Sequence, residues 1–181
     1  GTSPKLLLLD EPFSNLDAVN KKMVQEVLSD ISKKIKMSCI MVSHDAADIL
    51  SWADTILVMK NGEIIQEGTP SKIYYQPVNE YCAALFGDYN LVNTNHPAFA
   101  GIMDMPPKKS RLMIRPEEIV ITTASTNQVE GEVLHIYFKG NYNRVDVWAA
   151  EQLIKIQSNN QHLLHGSKIT LSFNGRKHWM G

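Results

Sequence analysis

The sequence predicts an α/β unit built on parallel strands, followed by a small all-β barrel. Two apolar runs of strand length, Leu6-Leu7-Leu8-Leu9 and Cys39-Ile40-Met41-Val42, end in polar clusters and are separated by a stretch of helical periodicity. From Arg111 to Phe173 the pattern changes to short alternating strands broken by turn residues. A strand–helix–strand unit ahead of a run of strands gives two architectures in one chain.

Consecutive leucines leave no polar face, so a strand made of them is expected to be covered on both sides, as in a parallel sheet. Pro12 stops this strand because proline cannot donate to the ladder. The acids Asp10 and Glu11 therefore stand at a carboxyl end, where ligands gather in open α/β sheets. One acid there can hold Mg²⁺ through its water shell while the next polarises an attacking water. A capped strand with two solvated acids is the plain alternative for the dipeptide by itself.

Met23, Val24, Val27, Leu28, Ile31 and Ile35 then recur at helical spacing, with Lys21, Lys22, Gln25, Glu26, Asp30, Lys33 and Lys34 on the other face. This is an amphipathic helix on a sheet, its lysines expected to be solvated. The Cys39–Val42 strand delivers His44 to the same sheet edge as the acids. A neutral imidazole there can donate or accept beside a γ-phosphate. Asp45 to Trp52 reads as a short helix capped by Ser43 or Asp45.

Thr55–Met59 and Glu63–Glu67 are strands joined by Asn61-Gly62, both tolerant of positive φ. Gly68-Thr69-Pro70-Ser71 starts a helix, and Pro77 opens another that Gly87 ends. Residues 91–110, with Pro106-Pro107-Lys108-Lys109, read as a linker holding at most one short strand. Beyond it come Arg111–Arg115, Ile119–Thr122, Val129–Tyr137, Arg144–Trp148, Leu153–Gln157 and Lys168–Phe173, with turns at Pro116, Ser125–Gln128, Gly140-Asn141, Ser158–Gln161 and Gly166. This spacing predicts a barrel of oligonucleotide/oligosaccharide-binding type over 111–175, folding without residues 1–90.

A formal charge of −1 gives no case for a nucleic-acid or membrane-surface partner. Lys139 to Arg144 mixes basic and aromatic residues but is expected to be an ordinary hairpin, and His162 and His165 to be loop residues without metal-ligand spacing. No apolar run approaches the roughly 20 residues of a membrane span, and no signal peptide is expected. Cys39 and Cys82 are expected to pack as small hydrophobes, as in a reducing cytosolic setting.

The apolar strand with Asp10-Glu11-Pro12, then Ser14-Asn15-Leu16-Asp17, resembles the Walker B motif and D-loop of ABC-transporter ATPases. Val42-Ser43-His44-Asp45 resembles the switch-histidine motif of the same family, in the right order and spacing. Residues 61–90 resemble the tail of importer-type ATPase domains. Met113-Ile114-Arg115-Pro116-Glu117, Gly131-Glu132-Val133, Gly140 and Gly166 resemble the TOBE domain appended to them. The sequence contains no Gly-x-x-x-x-Gly-Lys-Ser/Thr loop and no Leu-Ser-Gly-Gly-Gln-like signature. The resemblance implies a partial P-loop NTPase over 1–90, read as a fragment that starts just before Walker B and is itself inactive.

For the parent, the resemblance implies the ATP-binding and hydrolysing subunit of an importer. It would use ATP and Mg²⁺, with Asp10 at the metal, Glu11 and His44 catalytic, and Ser14, Asn15 and Asp17 at the nucleotide interface with a second copy of the subunit. The implied partners are that second copy in a homodimer, transmembrane permease subunits and, indirectly, a solute-binding protein. The implied location is the cytoplasmic side of the inner membrane, as a peripheral protein. The short barrel points to polyamine- or ferric-iron-type importers. Rival readings are a dimerisation or regulatory ligand-binding module, and a soluble, non-transport ABC ATPase.

Overall fold

The computed structural model describes residues 5–35, 37–99, 111–123, 128–173 and 178–180. Their contacts divide the chain into two units, Gly1–Ile56 with Gly68–Pro70, and Leu57–Glu67 with Ser71–Gly181.

In the first unit, strand β1 (Leu6–Asp10) lies parallel to β2 (Ser38–Val42), Leu8 opposite Ile40 and Asp10 opposite Val42. Helix α1 (Ala18–Ile35) makes the crossover that a parallel pair requires. Helix α2 (Ala46–Trp52) follows β2, capped by the Asp45 carboxylate, which accepts from the Ala47 backbone N–H. The expected burial of both strand faces is not met. Leu6, Leu8, Ile40 and Val42 share one face and are 49–68% exposed, while Leu7, Leu9, Cys39 and Met41 on the other are half-buried. Two strands make one thin layer, and among the described residues no second layer covers the leucine face.

Helix α1 departs from expectation in the same way. Met23, Val27 and Ile31 face outward, while Val24 and Leu28 turn inward together with Lys21 and Gln25. Lys21 is thus not one of a solvated row, because α2 offers it carboxylates.

The second unit opens with the hairpin of β3 (Ile56–Lys60) and β4 (Glu63–Gly68), turned by Asn61 at φ 52° and Gly62 at φ 83°. Helices α3 (Pro70–Tyr75) and α4 (Glu80–Leu85) follow, α4 capped by Asn79 rather than started at Pro77. The Gln66 side chain ties the hairpin to the segment between them, donating to the Gln76 carbonyl at 2.8 Å and accepting from the Val78 N–H at 3.0 Å.

Strands β5 (Asn90–Asn93), β6 (Arg111–Ile114) and β12 (His178–Met180) form an antiparallel sheet in the order β12-β6-β5. The remaining strands are β7 (Ile119–Ile121), β8 (Gln128–Phe138), β9 (Asn143–Ala149), β10 (Gln152–Ser158) and β11 (Lys168–Phe173). They form one curled sheet, β10-β9-β8-β11-β7, with β10 returning beside β7 as a half-barrel. Val133, Val145, Val147, Ile154, Ile156 and Leu171 alternate inward and are completely buried. At Gly131 a Cβ would meet Val147 Cγ1 at 2.6 Å, so only glycine lets β8 and β9 approach this closely.

The segment read as linker supplies core. Val92 and Phe99, the latter in a 3₁₀ turn at Pro97–Phe99, are 1% exposed among the barrel side chains, and Phe99 stacks edge-on against Phe173 at 5.4 Å. Pro106-Pro107-Lys108-Lys109 and most of the turn at Ser125–Gln128 lie outside the described residues.

Candidate functional site

The β1 ladder runs one residue beyond the strand, the Glu11 N–H donating to the Val42 carbonyl at 2.9 Å. The chain then turns sharply, with Glu11 at φ 47° in the left-handed region, where a non-glycine residue is strained by about 1–3 kcal/mol. Ser14 locks the turn, its N–H and Oγ both donating to the Glu11 carbonyl at 3.3 and 3.0 Å. Phe13, 3% exposed, anchors it from inside.

The turn holds the Glu11 carboxylate against the end of β2. Glu11 Oε1 lies 2.8 Å from His44 Nδ1, and the carboxylate holds the imidazole pKa above its ordinary value, by the hydrogen bond first and by charge second. The side chain is 79% exposed, and among the described residues no hydrogen bond engages its other ring nitrogen, Nε2. Asp10 has an exposed carboxylate, and no side-chain hydrogen bond or ion pair engages it among the described residues.

The structure therefore brings Glu11 and His44 together and sets Asp10 beside them, uncommitted. Ser14 contacts the Glu11 backbone, and Asn15 is exposed. Asp17 is spent on α1: its carboxylate accepts from the Val19 and Asn20 N–H groups at 3.0 and 2.9 Å, and from Asn20 Nδ2 at 2.8 Å. The Asn20 backbone hydrogen bond leads in holding this carboxyl below its usual range.

Sequence reasoning missed the charges behind His44. Lys21 Nζ lies 2.7 Å from Asp45 Oδ2 and 2.8 Å from Asp48 Oδ2, and Gln25 Nε2 donates to Asp48 Oδ1 at 3.1 Å. Asp48 is 4% exposed. These hydrogen bonds raise the Lys21 pKa, that to Asp45 leading, and Lys21 in turn is the first cause lowering that of Asp45. No local pattern announces this group, since each bonded pair joins residues more than twenty positions apart in sequence.

A Mg²⁺ ion fits this donor set. Among the described residues no three metal-binding side chains converge, but Mg²⁺ keeps several waters and takes only one or two protein carboxylates beside phosphate oxygens. Asp10 supplies a free, hard oxygen donor of that kind.

The TOBE domain family matches residues 112–179. The spermidine/putrescine import ATP-binding protein PotA of Aster yellows witches'-broom phytoplasma is 34% identical over 94% of this chain and 44% of its own length. That of Acetivibrio thermocellus is 34% identical over 76% of this chain and 42% of its own. The chain belongs to the ABC importer ATP-binding family. The Fe(3+) ions import ATP-binding protein FbpC of Vibrio cholerae is 29% identical over 90% of this chain and 50% of its own length. The chain thus spans about half the length, or less, of the family members it matches.

Proposed function

We propose that residues 1–181 carry the water-handling part of an importer's ATP-hydrolysing subunit, together with its TOBE domain. The observation that carries this is the 2.8 Å contact between Glu11 and His44 at the ends of two parallel strands. Asp10 would hold Mg²⁺, which when bound neutralises developing charge on the phosphates. The Glu11 carboxylate, fixed by its left-handed turn, orients the attacking water and accepts its proton. Bonded to Glu11 through Nδ1, His44 presents Nε2 outward, and the carboxylate favours the protonated ring, which donates there to a γ-phosphate oxygen.

The subunit acts in this reading as a homodimer on the cytoplasmic side of the membrane, bound to permease subunits that receive cargo from a solute-binding protein. Ser14, Asn15 and Asp17 lie on the turn that would face the second copy. The names of the spermidine/putrescine and Fe(3+) relatives support a cationic cargo. Among the described residues no helix is long and apolar enough to cross a membrane, in keeping with a peripheral role beside separate permease subunits.

In the full-length protein, Glu11→Gln is expected to bind ATP normally and to lower phosphate release at least about a hundredfold, because the shape stays while the basic oxygen is lost. His44→Ala should also lose turnover with ATP affinity retained. Parental phosphate release from both variants would overturn the assignment. The 181-residue chain by itself should not turn over ATP, since positioning by a phosphate-cradling loop supplies much of this catalysis.

A further inference from the structure

We infer that Lys21 is a positioning residue for His44: by bridging Asp45 and Asp48 from the helix that Asp17 caps, it fixes the turn that sets the imidazole on Glu11. This rests on the hydrolytic reading above and names a member of that site which no motif contains.

The His44 ring is mostly exposed, so packing does little to orient it, and its backbone must. The backbone belongs to the short turn between β2 and α2, where the Asp45 N–H donates to Ser43 Oγ at 3.1 Å and the Asp45 carboxylate caps a helix of only 7 residues. Such a helix has little stability of its own. Gln25 bonds Asp48 alone, whereas Lys21 ties down both ends of the helix's first turn, with one buried and one half-exposed carboxylate on the same ammonium.

Lys21 also closes a circuit. Its own N–H donates to the Asp17 carbonyl at 2.9 Å, in the first turn of α1. Asp17 ends the loop whose Ser14 grips Glu11, and Glu11 meets His44, which adjoins Asp45. Water activator, loop, helix and phosphate-facing ring form one closed chain of contacts, and Lys21 is the link between its two halves. If Ser14 to Asp17 meet a second subunit, a displacement there reaches His44 through Lys21. A merely structural bond between α1 and α2 would influence melting and leave the imidazole where it is.

Two measurements separate these cases. In the full-length protein, Lys21→Met should lower kcat about tenfold while KM for ATP stays within about twofold, since a misplaced group is lost to the transition state and not to binding. Lys21→Arg, which keeps charge and reach, should restore most of the rate. Gln25→Ala, which loosens Asp48 alone, should stay within about twofold of parental kcat. The second measurement is the NMR titration of His44 in the 181-residue chain. Glu11 bonds the ring, Asp45 and Asp48 act on it by charge alone, and Lys21 pairs with the last two. Removing only that pairing would raise the His44 pKa, whereas releasing the ring from Glu11 would lower it toward the ordinary value. A fall in Lys21→Met supports the positioning role, and no change or a rise overturns it. If Lys21→Met does not fold, Lys21→Gln is read in the same two assays. Parental turnover in both Glu11→Gln and His44→Ala would sink the hydrolytic reading, and the titration would still decide what holds His44.

Discussion

Glu11 meets His44 through a backbone geometry that a glutamate by itself would avoid. Glutamate in the left-handed region is strained, and it is kept there by the Val42 carbonyl on one side and by Ser14 on the other. The resulting contact makes the His44 charge depend on its partner. Because the folded-state pKa is raised above the unfolded one, the contact contributes stability that is fully present below the ordinary histidine value near pH 6.5 and is lost as pH rises through the raised value. NMR titration of the 181-residue chain should therefore find His44 above that value, and Glu11→Gln should bring it down. A His44 pKa that is the same in both proteins would show that the pair does not form in solution. The acids and the histidine were legible in the sequence because each ends an apolar run. The turn that aims Glu11 was not, since nothing in Asp-Glu-Pro marks a glutamate for positive φ. Nor was Lys21, because a lysine on a polar helix face resembles every other until the fold brings α2 beside it.

At the scale of elements, Arg115, the residue that follows β6, shows how one side chain can organise several. The Arg115 guanidinium is completely buried and, among the described residues, donates to backbone carbonyls: Tyr74 from Nε and Nη2, and Ala83, Gly87 and Asp88 from Nη1, all within 2.9–3.2 Å. These carbonyls lie at or just beyond the C-termini of α3 and α4, where a cation is favoured. The plane also stacks on the Tyr74 ring at 4.1 Å. Burial lowers the Arg115 pKa, but the group stays charged. Arg115→Met should cost about 3–5 kcal/mol, because it strands buried carbonyls without donors. Arg115→Lys should recover part of this, as one ammonium cannot replace a five-donor fork. Urea unfolding of the three proteins measures both, and a midpoint unmoved by the methionine would refute the clasp. Most strands were legible to within a residue or two, since alternation and turn chemistry are local, but β5 lay in the stretch read as linker and β12 at His178–Met180 carried no pattern. The exposure of Leu6, Leu8, Met23 and Val27 was not, because burial depends on which layers are present.

For the whole molecule, the division between units falls near Ile56, well before the linker that the sequence predicts at residues 91–110. The second unit takes in the hairpin, both short helices and β5. Asn90 shows how firmly they are held: its side chain donates to the Lys155 carbonyl and accepts from the Lys155 N–H, both at 2.7 Å, as a strand neighbour would. Asp88 adds ion pairs to Arg144 and Lys155, which outweigh its burial and lower its pKa. A truncated chain starting at Thr55 should thus give a dispersed amide spectrum and a cooperative melt. One starting at Lys108 should not, because it lacks Val92, Phe99 and the carbonyls that satisfy Arg115. A well-dispersed spectrum from the shorter chain would show that the barrel closes without them. The run of short antiparallel strands that makes the curled sheet was legible from strand spacing. The membership of Val92 and Phe99 was not, as Asn, Pro and Gly around them match a linker in composition.

That membership has a mechanical consequence. A true linker lets a sensing domain rotate and report only by docking, whereas a strand and a phenylalanine built into the barrel core leave no hinge between Asn90 and Phe99. Anything that distorts the half-barrel, through β5, Asn90 or the Asp88 pairs, is felt at once by the carbonyls around Arg115 and so by the two short helices. Within this unit the barrel is geared to its neighbours, and the gearing runs both ways.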